Sequence, residues 1–261
     1  MRVFFVFLWG SLGFLSFGAT LDVPFDLARP AREWALFGVD LAIPDLSSNP
    51  GALAFSSFWK VASTFSSVFG AAQVWALSAG GKGLGGEVAL LDGGEIGPNL
   101  RYRVWVGSFG AGLKIGSLGV GARARYFHPV WPKPSSGWAL DLGLLWVGPV
   151  HLGVLAESVL SSSPYGEAWP FDFSLAAVWP WSLGNFSGIL GAGMVDLLSF
   201  PTEALAVEIV LGPLSLRGGF WPSNLCLGGG LYLGWFGLDW AFTLHPDLPL
   251  GFRVSFVLRW P

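Results

Sequence analysis

Phe236-Gly237-Leu238-Asp239-Trp240-Ala241-Phe242-Thr243-Leu244-His245 is the stretch that decides the fold. Its even positions read Phe, Leu, Trp, Phe, Leu, and its odd positions Gly, Asp, Ala, Thr, His. A strict period of two places these sets on opposite faces of a β-strand. The final stretch repeats the pattern. Phe252, Val254, Phe256, Leu258 and Trp260 alternate with Arg253, Ser255, Val257 and Arg259. Upstream, Trp138, Leu140, Leu142, Leu144 and Trp146 alternate with Ala139, Asp141, Gly143 and Leu145, and Leu118, Val120, Ala122, Ala124 and Tyr126 with Gly119, Gly121, Arg123 and Arg125. One such strand suits half of a soluble sandwich. A chain made of them has no polar outer surface, and large apolar residues on one face with small or charged residues on the other is the pattern of a transmembrane β-barrel.

Composition agrees. Hydrophobic residues make up 52% of the 261-residue chain and charged residues 12%, against about 25% charged in soluble domains. The 38 glycines and 15 tryptophans exceed what a compact soluble core requires. A net charge of −3 offers no basic face for nucleic acid. The single cysteine, Cys226, allows neither an intrachain disulfide nor a cysteine zinc cluster, and its alternation points it inward as a small packing residue. Three uncharged stretches, Val61 to Gly81, Phe173 to Val195 and Gly218 to Leu238, are long enough for membrane helices of roughly 20 residues. The second holds Pro180 and the third Pro222, each with several glycines, which fits turns and strands better than helix interiors.

Three regions follow. Residues 1–18 read as a signal peptide, with Arg2, an apolar run from Val3 to Phe17 and cleavage after Gly18. Residues 19–59 carry Asp22, Asp26, Arg29, Arg32, Glu33, Asp40 and Asp45 without alternation, as an N-terminal hatch or plug segment inside the barrel would. Residues 60–261 form the barrel. We expect fourteen strands, the third over 83–93 and the fourth over 101–115. Tight turns such as Gly116-Ser117 and Gly212-Pro213 alternate with longer connections such as Gly94 to Leu100 and Pro129 to Ser136. Short periplasmic turns against longer outer loops put both chain ends in the periplasm of an outer-membrane protein. Trp138, Trp146, Trp179, Trp181, Trp221, Trp235 and Trp260 are expected in interfacial girdles.

Alternation assigns Glu87, Lys114, Arg123, Arg125, Asp141, His151, Glu157, Asp172, Glu208, Arg217, Asp239, Arg253 and Arg259 to the lumen. Enclosed charges must pair or be hydrated, so this balanced set reads first as a salt-bridge lattice, with Arg123 and Arg125 pairing with Asp141 on the next strand. The other reading is a polar path or a carboxylate anchor. Enzymatic chemistry finds no support. His128, His151 and His245 lack metal-ligand spacing, the glycine-rich Gly80 to Gly86 is a hairpin rather than a phosphate loop, and no cofactor is implied.

Gly38-Val39-Asp40-Leu41-Ala42, Asp45 and Asn49-Pro50-Gly51-Ala52-Leu53-Ala54 resemble the N-terminal signature of PorV-type barrels and, more distantly, of FadL-type fatty-acid transporters. Ala139 to Leu145, Leu238 to Phe242 and Leu250 to Ser255 resemble later strands of the same family. The resemblance implies a hatch motif at Asn49, Pro50 and Gly51. It also implies passage of a small hydrophobic or amphipathic solute, released sideways where a strand kinks, for which Gly107, Gly110 and Gly112 are the candidates. PorV-type members instead bind exported proteins, for which the Pro129 to Ser136 loop would serve. A closed structural barrel is the third reading. The partners expected are the lipid bilayer and either a solute or an exported protein.

Overall fold

The computed structural model describes residues 28–44, 47–97, 100–130, 135–163, 169–222 and 224–261; the expected signal peptide lies outside them. Fourteen antiparallel strands form a closed barrel in chain order. They are β1 (Trp59–Val68), β2 (Ala72–Gly81), β3 (Leu84–Gly97), β4 (Leu100–Ile115), β5 (Leu118–Pro129), β6 (Gly137–Trp146), β7 (His151–Ser162), β8 (Asp172–Leu183), β9 (Phe186–Val195), β10 (Thr202–Leu211), β11 (Leu214–Trp221), β12 (Asn224–Leu233), β13 (Phe236–Leu244) and β14 (Gly251–Trp260). Closure is made by β1 with β14, in register from Trp59 opposite Trp260 to Ser67 opposite Phe252. It leaves no unpaired sheet edge, a condition lipid imposes on any spanning sheet.

Among the described residues no helix is long and apolar enough to cross a membrane. The uncharged stretches at 61–81, 173–195 and 218–238 lie in β1–β2, β8–β9 and β11–β13. Alternation survives in the burial pattern. On β13 Asp239, Ala241 and Thr243 are buried, while Phe242 and Leu244 project outward. Outward-facing Trp75, Trp105 and Trp138 lie toward one barrel end, and Trp146, Trp179, Trp235 and Trp260 toward the other. Trp221 is not in a girdle. It shares the inward parity of Arg217 and is buried against Trp34 and Phe37.

The end carrying Trp59 and Trp260 holds mostly two-residue turns. Gly116 and Gly212 open two of these with φ of +61° and +56°, a left-handed conformation that glycine adopts without a Cβ penalty. The opposite end has the longer connections at 130–136, 163–171, 196–201 and 245–250. Gly94 to Leu100 departs from the expected loop. β3 and β4 run on to Gly97 and Leu100 through a register shift between Asp92 and Glu95. At this bulge Gly94 has φ +74° and donates its N–H to the Asp92 carboxylate.

The expected kink in β4 is absent as well. Its register with β5 is unbroken from Val104 to Ile115. A second wall irregularity, besides the bulge on β3, is on β7, where Ser158 has φ +53° and the pairing with β6 shifts between Leu140 and Leu142. β8 begins at Asp172, opposite Glu157, so residues 158–162 of β7 have no partner on β8.

Candidate functional site

Residues 28–44 and 47–58 lie inside the barrel. They form a short helix α1 (Ala31–Ala35) and 3-10 turns at Asp40–Ala42 and Pro50–Phe55. Leu36, Val39, Leu41 and Ile43 pack against Leu145, Leu155, Val178 and Val195 of the wall. Backbone meets backbone because the wall side chains are missing where the segment passes. A Cβ added to Gly119, Gly121, Gly143, Gly153, Gly193 or Gly219 would fall inside 3.0 Å of Gly51, Pro50, Asn49, Leu41, Gly38 or Ala35, respectively. Gly110 and Gly112 belong to this track, against Leu53 and against Pro50 and Ala54. Close approach, not a kink, is their use.

Asn49 is fully buried at the centre of this contact. Its Nδ2 donates to the carbonyls of Leu41 at 2.8 Å and Leu144 at 2.9 Å, and its Oδ1 accepts the Gly51 N–H at 2.9 Å. The side chain thus joins two turns of the inner segment to β6, and Pro50 starts the second turn, where its missing N–H costs nothing. Replacing Asn49 with alanine leaves these groups unmet, at about 1 kcal/mol for each lost bond. The inner segment of Asn49→Ala is expected to loosen by on the order of 2–3 kcal/mol. Hydrogen exchange at the Gly51 amide should then be at least tenfold faster; exchange at the wild-type rate would show that Asn49 is not the anchor.

Two ionic networks face each other across the interior. In the first, the Arg217 guanidinium donates to Glu208 at 2.6 Å and to Asp239 at 2.6 Å, with further bonds to Ser215, Tyr232 and the Gly229 carbonyl. Arg32 of α1 reaches the same Glu208 at 2.8 Å, so this network ties the inner segment to β10. In the second, Asp141 accepts from Arg123 at 2.9 Å and Arg125 at 2.8 Å, and Glu157 lies 3.9–4.0 Å from both arginines. Arg123 also donates to the Ser48 carbonyl at 3.2 Å. Within the inner segment Arg29 binds Asp40, and Glu33 meets Ser47 and, at 3.9 Å, Lys60 of β1.

The remaining lumen residues do something else. Arg253 donates to the Arg29 carbonyl and lies over the Trp34 ring at 4.0 Å. Arg259 sits between the rings of Tyr232 and Phe58, and Lys114 is at the rim over Phe55. Asp172 is bonded to the Ser199 hydroxyl and the Leu198 N–H. His151 is on β7, far in sequence from His128 and His245, which bond Ser136 and the Asp247 N–H. Among the described residues no three His, Cys, Asp or Glu side chains gather as a metal site. Arg32, Arg29, Glu33 and Ser48 were missed as site residues because the aperiodic inner segment has no parity from which facing could be read. The signal that could have placed them was the run of glycines on the inner parity of β5, β6, β7 and β9.

Between the inner segment and β3–β7 lies a polar cavity with an empty volume of about 560 Å³, part of it open to solvent. Arg29, Glu33 and Ser48 line it from the segment, and Glu87, Arg125 and Glu157 from the wall.

No family profile matches this chain, and no curated protein sequence matches it. Its fold matches solved outer-membrane barrels. The toluene transporter TbuX of Ralstonia pickettii superposes with a TM-score of 0.58 at 12% identity, covering 91% of this chain and 100% of that one. A FadL homologue of Pseudomonas aeruginosa gives 0.53 at 11% identity, covering 89% and 98%. The outer membrane protein Omp33 of Acinetobacter baumannii gives 0.53 at 12% identity, covering 79% and 100%.

Proposed function

We propose that this protein passes small amphipathic solutes across the outer membrane, with both chain ends in the periplasm and residues 19–59 acting as the hatch. The observation that carries this reading is the way the interior is filled. Where the backbone of the inner segment crosses β5, β6, β7, β9 and β11 the wall offers glycines rather than side chains, and beside the apolar packing of Leu36, Val39, Leu41 and Ile43 the segment is held by discrete polar contacts, chiefly Asn49 and Arg32. Such contacts break together when the segment shifts. The fold shared with TbuX and the FadL homologue supports the same reading. The seam beyond Glu157, where β7 runs on without β8, supports a sideways exit for the solute there rather than along β4.

Swelling of liposomes containing the full-length protein should be slow but measurable with small amphipathic solutes. It should rise at least tenfold when residues 20–59 are deleted. No swelling from either protein overturns the transport reading. If that silence came with co-purification of an exported protein, a PorV-type role in protein export would replace it.

A further inference from the structure

We infer that the polar cavity is a binding site for the ammonium head group of a small amine, with Glu87 as the counter-charge. The inference rests on the transport reading for its physiological meaning, since it names the class of solute the interior accepts. Enclosed carboxylates need a positive partner, because the low-dielectric interior strengthens charge interactions and penalises a lone charge. The acids around this cavity have such partners. Asp40 has Arg29, Glu33 has Lys60, and Asp141 and Glu157 have Arg123 and Arg125. Glu87 is the exception. It projects inward from β3 into the cavity and, among the described residues, makes neither a hydrogen bond nor an ion pair, with Arg123, Arg29 and Arg253 acting on it only at longer range.

Ser48 supplies a second, independent observation. Its side chain is 2% exposed, its hydroxyl oxygen has no hydrogen-bond partner, and it lines the same cavity from the opposite side. A buried hydroxyl without a partner is unfavourable, so it marks a place where a ligand atom can satisfy it. The groups at this cavity without a hydrogen-bond partner are the Glu87 carboxyl and the Ser48 hydroxyl, both able to accept, and one nitrogen of Arg125, its Nε. The guanidinium groups of Arg29, Arg123 and Arg125 are already engaged by carboxylates. A group with several N–H donors and a positive charge meets these conditions, and an anionic head group meets Glu33, Glu87 and Glu157 instead. The enclosed part of the cavity has room for only a few water-sized groups, so the ligand enters head first and its apolar part stays outside.

The test uses full-length protein in detergent micelles and saturation-transfer NMR with three probes of nearly equal size: propylammonium, propanol and propionate. Propylammonium should bind, and the other two should bind at least about tenfold more weakly, a difference of about 1.4 kcal/mol. Glu87→Gln should reduce propylammonium affinity about tenfold and Ser48→Ala should reduce it several-fold. Glu95→Gln, an exposed acid near the long-loop end, should leave it unchanged. Equal binding of propanol and propylammonium, or undiminished affinity in a folded Glu87→Gln protein, overturns the inference. If that variant fails to show a heat-modifiable gel band, the wild-type ranking of the three probes decides. Liposome flux without ammonium selectivity removes the amine site and leaves transport standing; ammonium binding without flux does the reverse.

Discussion

Gly143→Val is expected to expel the inner segment from the wall while leaving the barrel closed. A Cβ at this position would collide with the Asn49 Oδ1 and with the Cδ and Cγ of Pro50, and none of these can retreat. Asn49 is held by two carbonyls and the Gly51 N–H, and Pro50 begins a 3-10 turn whose far side meets the equally tight Gly121 and Gly119. Overpacking ordinarily costs about 1–3 kcal/mol. Here it also breaks the Asn49 bonds, each worth about 1 kcal/mol, so the sum reaches the range in which docking reverses. On β6 itself valine is a good strand former, and Gly143 pairs with Gly121 and Leu155 through the backbone, so barrel closure does not depend on the missing side chain. Added protease should therefore cut between residues 28 and 58 of Gly143→Val at least tenfold faster than in wild type, with an unchanged strand-type circular dichroism spectrum. The same variant should raise liposome swelling if the segment is the hatch. Protection equal to wild type would show that the glycine track does not seat the segment.

Arg217→Met is expected to weaken the barrel wall itself. The guanidinium is wholly buried and is the shared partner of Glu208 and Asp239. Methionine fills a comparable volume but leaves Asp239 with only the Tyr232 hydroxyl and Glu208 with only Arg32. Breaking a buried ion network by removing one member costs about 3–5 kcal/mol, mostly because the remaining charges stay buried. Urea unfolding from micelles should show a loss of that size, and the heat-modifiable band should disappear at a lower temperature. The double variant Arg217→Met, Asp239→Asn removes one charge of each sign, leaves Glu208 paired with Arg32, and should recover much of the loss, because no buried charge is then left without a counter-charge. A loss below about 0.5 kcal/mol for Arg217→Met, in the range of an ordinary surface substitution, would show the network to be hydrated and dispensable.

Alternation made β5, β6, β13 and β14 legible in the sequence, because lipid on one side and a crowded interior on the other leave no choice of face. It also put Arg217 and Asp239 on the inner side, since neither could stay charged against lipid. Which acid each arginine meets depends on inter-strand register, and register is set by closure of the whole barrel. The extension of β3 to Gly97 was hidden because the bulge after Asp92 interrupts the period and its glycines read as a loop. Ser158 in the left-handed region has no sequence signal, whereas Gly107, Gly110 and Gly112 are conspicuous glycines that invite the expectation of a kink. Trp221 lies near a strand end, where a girdle is expected, but it shares the parity of Arg217 and therefore points inward.

From the sequence alone came the closed barrel, its strand number and its lipid-facing surface. All three follow from local alternation and from the rule that no backbone group may go unpaired in lipid. Only the tertiary structure decided what the inner face is for. A glycine on that face could serve a turn, a kink or a close approach, and the choice exists only once another piece of backbone lies against it. Glu87 likewise reads as one more member of a balanced lattice until its neighbours are in place. It is their positions, with Arg29, Arg123 and Arg125 already engaged by other carboxylates, that leave this carboxylate facing an open cavity.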